Sequence, residues 1–153
     1  MGYDAVYAAR LAVREINAAG GVAGTMLELV AYDDRGEAAL AARVAENLVV
    51  DPEVLAVIGH YLPETTAAAA SVYAGASLPH LTVHDAPATA ATADWIAAYK
   101  SMGPHVPEPG PYALPTYDAV HTLADALSAL LADGRTPTRA ALGATLDDVT
   151  HDG

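Results

Sequence analysis

Three short apolar runs, residues 27–32, 54–58 and 78–83, alternate with stretches of helical length, and this rhythm constrains the fold more than any other feature. The middle run, Val54-Leu55-Ala56-Val57-Ile58, is continuously apolar, the signature of a strand covered on both faces. Strands joined by single helices must lie parallel, with right-handed crossovers. The expectation is an α/β class: a three-layer, Rossmann-like parallel sheet flanked by helices.

The helices follow from spacing and punctuation. Val6, Ala9, Val13 and Ile16 fall on one face of a helix over 4–19, which Gly20-Gly21 ends. Leu40, Val44 and Leu48 mark a second over 37–50, broken at Asp51-Pro52-Glu53. A third covers 64–76. After 83 the rhythm changes: 84–92 is small and polar, a connection. Helices are expected over 93–102, 116–132 and 138–146, with a proline-rich loop over 103–111.

Charge narrows the function classes. Nineteen acids against seven bases give a net charge of −12, which opposes nucleic acid and anionic membrane surfaces. No apolar run approaches the roughly 18 residues of a membrane span. Absence of cysteine removes thiol catalysis and thiolate metal sites. Residues 1–20 carry Asp4, Arg10 and Arg14 and read as an amphipathic helix, not as a signal peptide. His80 and His84 straddle a strand, about 13 Å apart by strand geometry, without a third ligand. Asp33, Asp34 and Glu37 are accounted for by turn chemistry and a helix start. No metal and no cofactor are expected.

Taken together, Val13–Gly24 (Val-Arg-Glu-Ile-Asn-Ala-Ala-Gly-Gly-Val-Ala-Gly), Leu-Glu-Leu-Val-Ala-Tyr-Asp-Asp at 27–34 and Asp51-Pro52-Glu53-Val54-Leu55-Ala56-Val57-Ile58-Gly59-His60 resemble type I periplasmic binding proteins, the Leu/Ile/Val-binding receptors of ABC transporters. Ala93–Lys100 and Tyr117-Asp118-Ala119-Val120 look like that family's late segment. The resemblance implies a single lobe-one-like domain over 1–153, built from an early block (1–83) and a late block (93–153) joined by the linker 84–92. Lobe two and the family's first strand, which would precede Gly2, lie outside this pattern, so an unfilled slot or an open strand edge is expected.

Ligands of open α/β sheets bind beyond the carboxyl ends of strands, near helix N-termini. Two connections qualify: Tyr61, Pro63, Glu64 and Thr65 after the 54–58 run, and His84 and Asp85 after the 78–83 run. In the family these loops hold an amino acid's carboxylate and ammonium; here Glu64 and Asp85 favour the ammonium side. The resemblance therefore implies a non-enzymatic receptor domain for a small polar solute (an amino acid or amide-like ligand), binding weakly by itself. Its implied partner is an ABC permease and its implied location extracytoplasmic. The alternative is a homodimeric interaction or regulatory module derived from such a lobe. A remote third reading is a small hydrolase using His60 and Glu64 as an acid–base pair.

Overall fold

The computed structural model describes residues 3–84, 86 and 90–151. The chain is α/β, and six helices dominate it: α1 (Tyr3–Ala18), α2 (Ala38–Val50), α3 (Pro63–Gly75), α4 (Ala93–Lys100), α5 (Ala113–Ala132) and α6 (Arg139–His151). Two short strands, β1 (Val57–Ile58) and β2 (His80–Leu81), pair in parallel, with Val57 opposite His80 and Ile58 opposite Leu81. Among the described residues, no helix is long and apolar enough to cross a membrane.

The core has two helical layers with the strands between them. On one side Val44, Ala45 and Leu48 of α2 meet Ala69 and Tyr73 of α3, and Val54 and Val57 pack into this cluster. On the other side Ile58 joins Ala9, Ala12 and Val120, while Leu55, Ala56 and Leu81 join Ala126, Leu142 and Leu146. Residues of one run thus feed both layers, Val54 and Val57 one and Leu55, Ala56 and Ile58 the other. The late helices return to the early one: α1 lies along α5, its buried Ala5, Ala8 and Ala12 permitting close approach. Leu11 of α1, Tyr99 of α4 and Ala113 of α5 are fully buried together beside it.

Helix one ends where expected. Gly21 has φ +73°, and a Cβ there would stand 2.2 Å from the Thr25 carbonyl oxygen, so only glycine fits. Asn17 then holds the outgoing chain through both Leu27 backbone groups, each at 2.8 Å.

Three expectations need correction. The run 27–32 is not a strand: it is extended but paired with no other strand among the described residues. A strand exists only through its neighbour, and the space beside this run is open. Strand lengths also shrink, from 54–58 and 78–83 to the two residues of each run that pair with each other. Finally, α5 begins at Ala113 rather than 116, because Pro115 in the first turn removes an amide that had no helical partner, and α6 runs past 146 to His151. Of the 84–92 connection, residues 85 and 87–89 lie outside the described residues.

Candidate functional site

The carboxyl ends of β1 and β2 form one rim. Parallel register puts Ile58 beside Leu81, so Tyr61 and His84, each three residues further on, emerge on the same side. The 27–34 run ends at this rim too. Asp33 and Asp34 accept from the amides of Arg35 (2.9 Å) and Gly36 (2.8 Å), closing the tight turn expected of them.

Asp34 has a second role. Its other carboxylate oxygen lies 2.5 Å from His60 Nδ1, and His60 Nε2 lies 2.9 Å from the Tyr73 hydroxyl. A carboxylate only accepts, so Nδ1–H donates to Asp34; in neutral imidazole Nε2 then accepts from Tyr73. His60 is 7% exposed and Tyr73 fully buried. Burial, with the Asp34 charge second, pushes the Tyr73 pKa up to about 12, which keeps its proton in place for this bond. The network ties the end of 27–34 to the end of β1 and to α3. His80 leans on the other side of Tyr73, ring centres 5.2 Å apart; burial, then the neighbouring His60, lowers its pKa.

The β1–α3 connection carries four of the six expected site residues. Pro63 occupies the first turn of α3 and Leu62 caps it without a side-chain bond. The Thr66 amide bonds the Leu62 carbonyl, and the amides of Glu64 and Thr65, at the helix start, have no backbone partner among the described residues. Pro63 and Glu64 are exposed. Thr65 is buried and its hydroxyl donates back to the Leu62 carbonyl at 3.0 Å, while Thr66 donates to the His60 carbonyl at 3.2 Å. Both hydroxyls therefore brace the loop. Tyr61 is half-buried against Tyr112, ring centres 5.4 Å apart, and its hydroxyl accepts from Thr116 at 3.5 Å. Burial first, then the charges of Asp4 and Asp34, raise its pKa. His84 sits half-buried in the turn after β2; Asp85 lies outside the described residues.

The acid–base pair of the hydrolase reading is not assembled. Both ring nitrogens of His60 are engaged by Asp34 and Tyr73, and no hydrogen bond joins His60 to Glu64 among the described residues. Sequence reading missed Asp34 and Tyr73 as partners of His60. Only the Asp at the end of an apolar run hinted at a rim position.

A family model described as "Periplasmic binding protein" matches residues 1–86. An amino acid binding protein of Pseudomonas aeruginosa is 39% identical over 71 residues, covering 46% of this chain and 19% of that protein. The Leu/Ile/Val-binding protein of Escherichia coli K12 is 42% identical over 65 residues, 42% of this chain and 17% of that one. The matched stretches thus span less than a fifth of these curated relatives. Among solved structures, the chain is similar to the branched-chain amino acid transporter substrate binding protein LivJ of Streptococcus pneumoniae in complex with isoleucine. The TM-score is 0.80 at 17% identity, over 95% of this chain and 82% of that one, a likeness of fold.

Proposed function

Because the chain belongs to the periplasmic binding protein family, we propose that it is one lobe of an extracytoplasmic amino-acid receptor serving an ABC importer, assembled from 1–83 and 93–153 across the linker 84–92. The observation that carries this reading is the start of α3. Two amides without a backbone partner among the described residues, Glu64 and Thr65, point from a helix N-terminus at the strand rim, where the partial positive charge of a helix favours a carboxylate. The exposed Glu64 carboxylate beside them suits the ammonium of the same zwitterion. Tyr61, and the half-buried His84 across the rim, supply flanks for a side chain. The chemistry is capture, with no bond made or broken.

One lobe covers one side of a small ligand, whereas good sites bury roughly 70–90% of it. Affinity of this lobe alone is therefore expected on the order of millimolar. Titrating leucine into 15N-labelled protein tests it: the Glu64 and Thr65 amides should shift saturably, and 4-methylvaleric acid, which lacks the ammonium, should bind several-fold more weakly. Unmoved amides at tens of millimolar leucine would overturn the reading.

A further inference from the structure

Helix α3 meets one residue twice. Thr66, in its first turn, donates to the His60 carbonyl at 3.2 Å, and Tyr73, further along, bonds His60 Nε2 at 2.9 Å. The two stand about two helical turns apart, so both reach His60 from one helix face. Asp34 holds the other ring nitrogen, Nδ1, at 2.5 Å. The orientation of α3, and with it the direction of the Glu64 and Thr65 amides, therefore depends on one imidazole.

Histidine is the side chain whose charge changes near neutral pH. With His60 neutral, every atom of the network has its partner: Nδ1–H donates to Asp34, and Nε2 accepts the Tyr73 proton. A further proton goes to Nε2, the one remaining lone pair of the ring. Two donors then face each other. The Tyr73 hydroxyl has to turn its hydrogen away, yet it has no other hydrogen-bond partner among the described residues. Tyr73 is fully buried, so no water replaces the lost acceptor. The bond to Asp34 survives, since Nδ1–H donates in both states. Acid therefore acts on the α3 side of the ring.

The surroundings offer no substitute. Three titratable groups face the ring: Asp34 from the 27–34 run, Tyr73 from α3 and His80 from β2. His80 lies across the phenol, ring centres 5.2 Å apart, and burial, then the neighbouring His60, lowers its pKa. Charge on one imidazole thus opposes charge on the other. Tyr61, next on the loop, is engaged with Thr116 of α5. From α2, Val44, Ala45 and Leu48 join the Tyr73 cluster and carry no charge. No lysine or arginine pairs with Asp34 among the described residues.

We propose that His60 is a pH-sensitive latch on the amino-acid site. Neutral, it holds α3 through Tyr73 with the Glu64 and Thr65 amides aimed at the rim; protonated, it releases Tyr73, and capture weakens. The latch itself stands on the hydrogen bonds; its consequence for capture rests on the α3 reading above.

Nuclear magnetic resonance of the 15N-labelled chain, taken from pH 8 down to pH 5.5 without ligand, reads the latch directly. The His60 Nε2 resonance should pass from an unprotonated to a protonated shift, and the Glu64 and Thr65 amides should titrate with the same midpoint. In Tyr73→Phe the ring should still titrate while the two amides no longer follow it. A merely structural role for Tyr73 would not uncouple them. Leucine titrations at pH 7.5 and 5.5 read the consequence. One coupled proton allows up to about tenfold per pH unit, so affinity should fall about fivefold or more in the native chain and less than about twofold in Tyr73→Phe. His84→Gln removes the other histidine of the rim and should leave that fall in place. A His60 ring that keeps one charge state throughout, amides that do not follow the ring, or an equal fall in Tyr73→Phe would overturn the proposal. Leucine binding at neither pH would sink the receptor reading and its pH dependence together, while the ligand-free titration still decides the latch.

Discussion

Replacing His60 by leucine tests the network that ties the rim together. Leucine keeps the buried volume and removes both hydrogen bonds. The bond to the Asp34 carboxylate is charge-assisted, and its loss costs about 2 kcal/mol. The fully buried Tyr73 hydroxyl then has no partner, a desolvation cost of about 2 kcal/mol. Greater apolarity of leucine returns about 1 kcal/mol, so His60→Leu should destabilise by about 3 kcal/mol. Against a total of about 5–15 kcal/mol for a domain, that is readily measured. Tyr73→Phe alone leaves His60 Nε2 unpartnered and should cost about 1–2 kcal/mol.

The decisive quantity is the double variant. Once the imidazole is gone, Tyr73→Phe removes an orphaned hydroxyl and nothing else. The pair His60→Leu/Tyr73→Phe should therefore be more stable than His60→Leu by about 1–2 kcal/mol, a non-additivity that a double-mutant cycle isolates. Urea unfolding followed by helical circular dichroism supplies each value, with an unchanged slope marking an unchanged native state. Additive costs, agreeing within about 0.5 kcal/mol, would refute the reasoning, because the two side chains would then not share a bond.

Three further outcomes follow from other groups of the fold. Arg139 donates to the carbonyls of Val54 (2.8 Å) and Val49 (3.0 Å) and to that of Asp51, bracing the end of α2 against the start of α6; Arg139→Ala should cost about 2–4 kcal/mol in urea unfolding, and Arg139→Lys should recover less than half, since an ammonium cannot reproduce the planar fork. On the alkaline side, burial pushes Tyr73, Tyr99 and Tyr117 up to about 12 from 10.0; the folded chain keeps protons that the unfolded chain releases, so stability present below pH 10 should fall away between pH 10 and 12, with phenolate absorbance at 295 nm rising together with unfolding. On the acid side His80 is lowered from 6.5, chiefly by burial, so its contribution is present above pH 6.5 and lost below it, and His80→Gln should flatten the acid limb of the stability profile.

Local rules located most of the helices, because each has a face of the right period and a stop that only glycine or proline explains. The Gly20-Gly21 stop and the Asp33–Gly36 turn are local chemistry and were legible as such. Helix five started early because a proline that ends helices is harmless in their first turn. The rim was legible in outline: strand order alone puts Tyr61 and His84 on one side. Its interior was not. Asp34, His60 and Tyr73 stand 26 and 13 residues apart along the chain, and no spacing rule joins them. The orientation of the Thr65 hydroxyl, turned back onto Leu62, is likewise decided by the loop and not by the residue type.

The open slot shows where hydropathy patterns stop being informative. A continuously apolar run at 54–58 correctly implied cover on both faces, and helices do pack on both. Yet every residue of that run is only half-buried. Side chains report faces, while the exposure here enters along an edge, where only backbone groups are presented. Backbone groups are the same for every residue, so no composition or periodicity encodes whether an edge has a neighbour. The apolar side chains of 26–32 carry the same lesson from the other wall: Leu29, Val30 and Tyr32 are exposed although their residue types are those of a covered strand. The two strand-like runs thus stay incompletely covered along the edges that face the cavity between them, whatever the residue types along them.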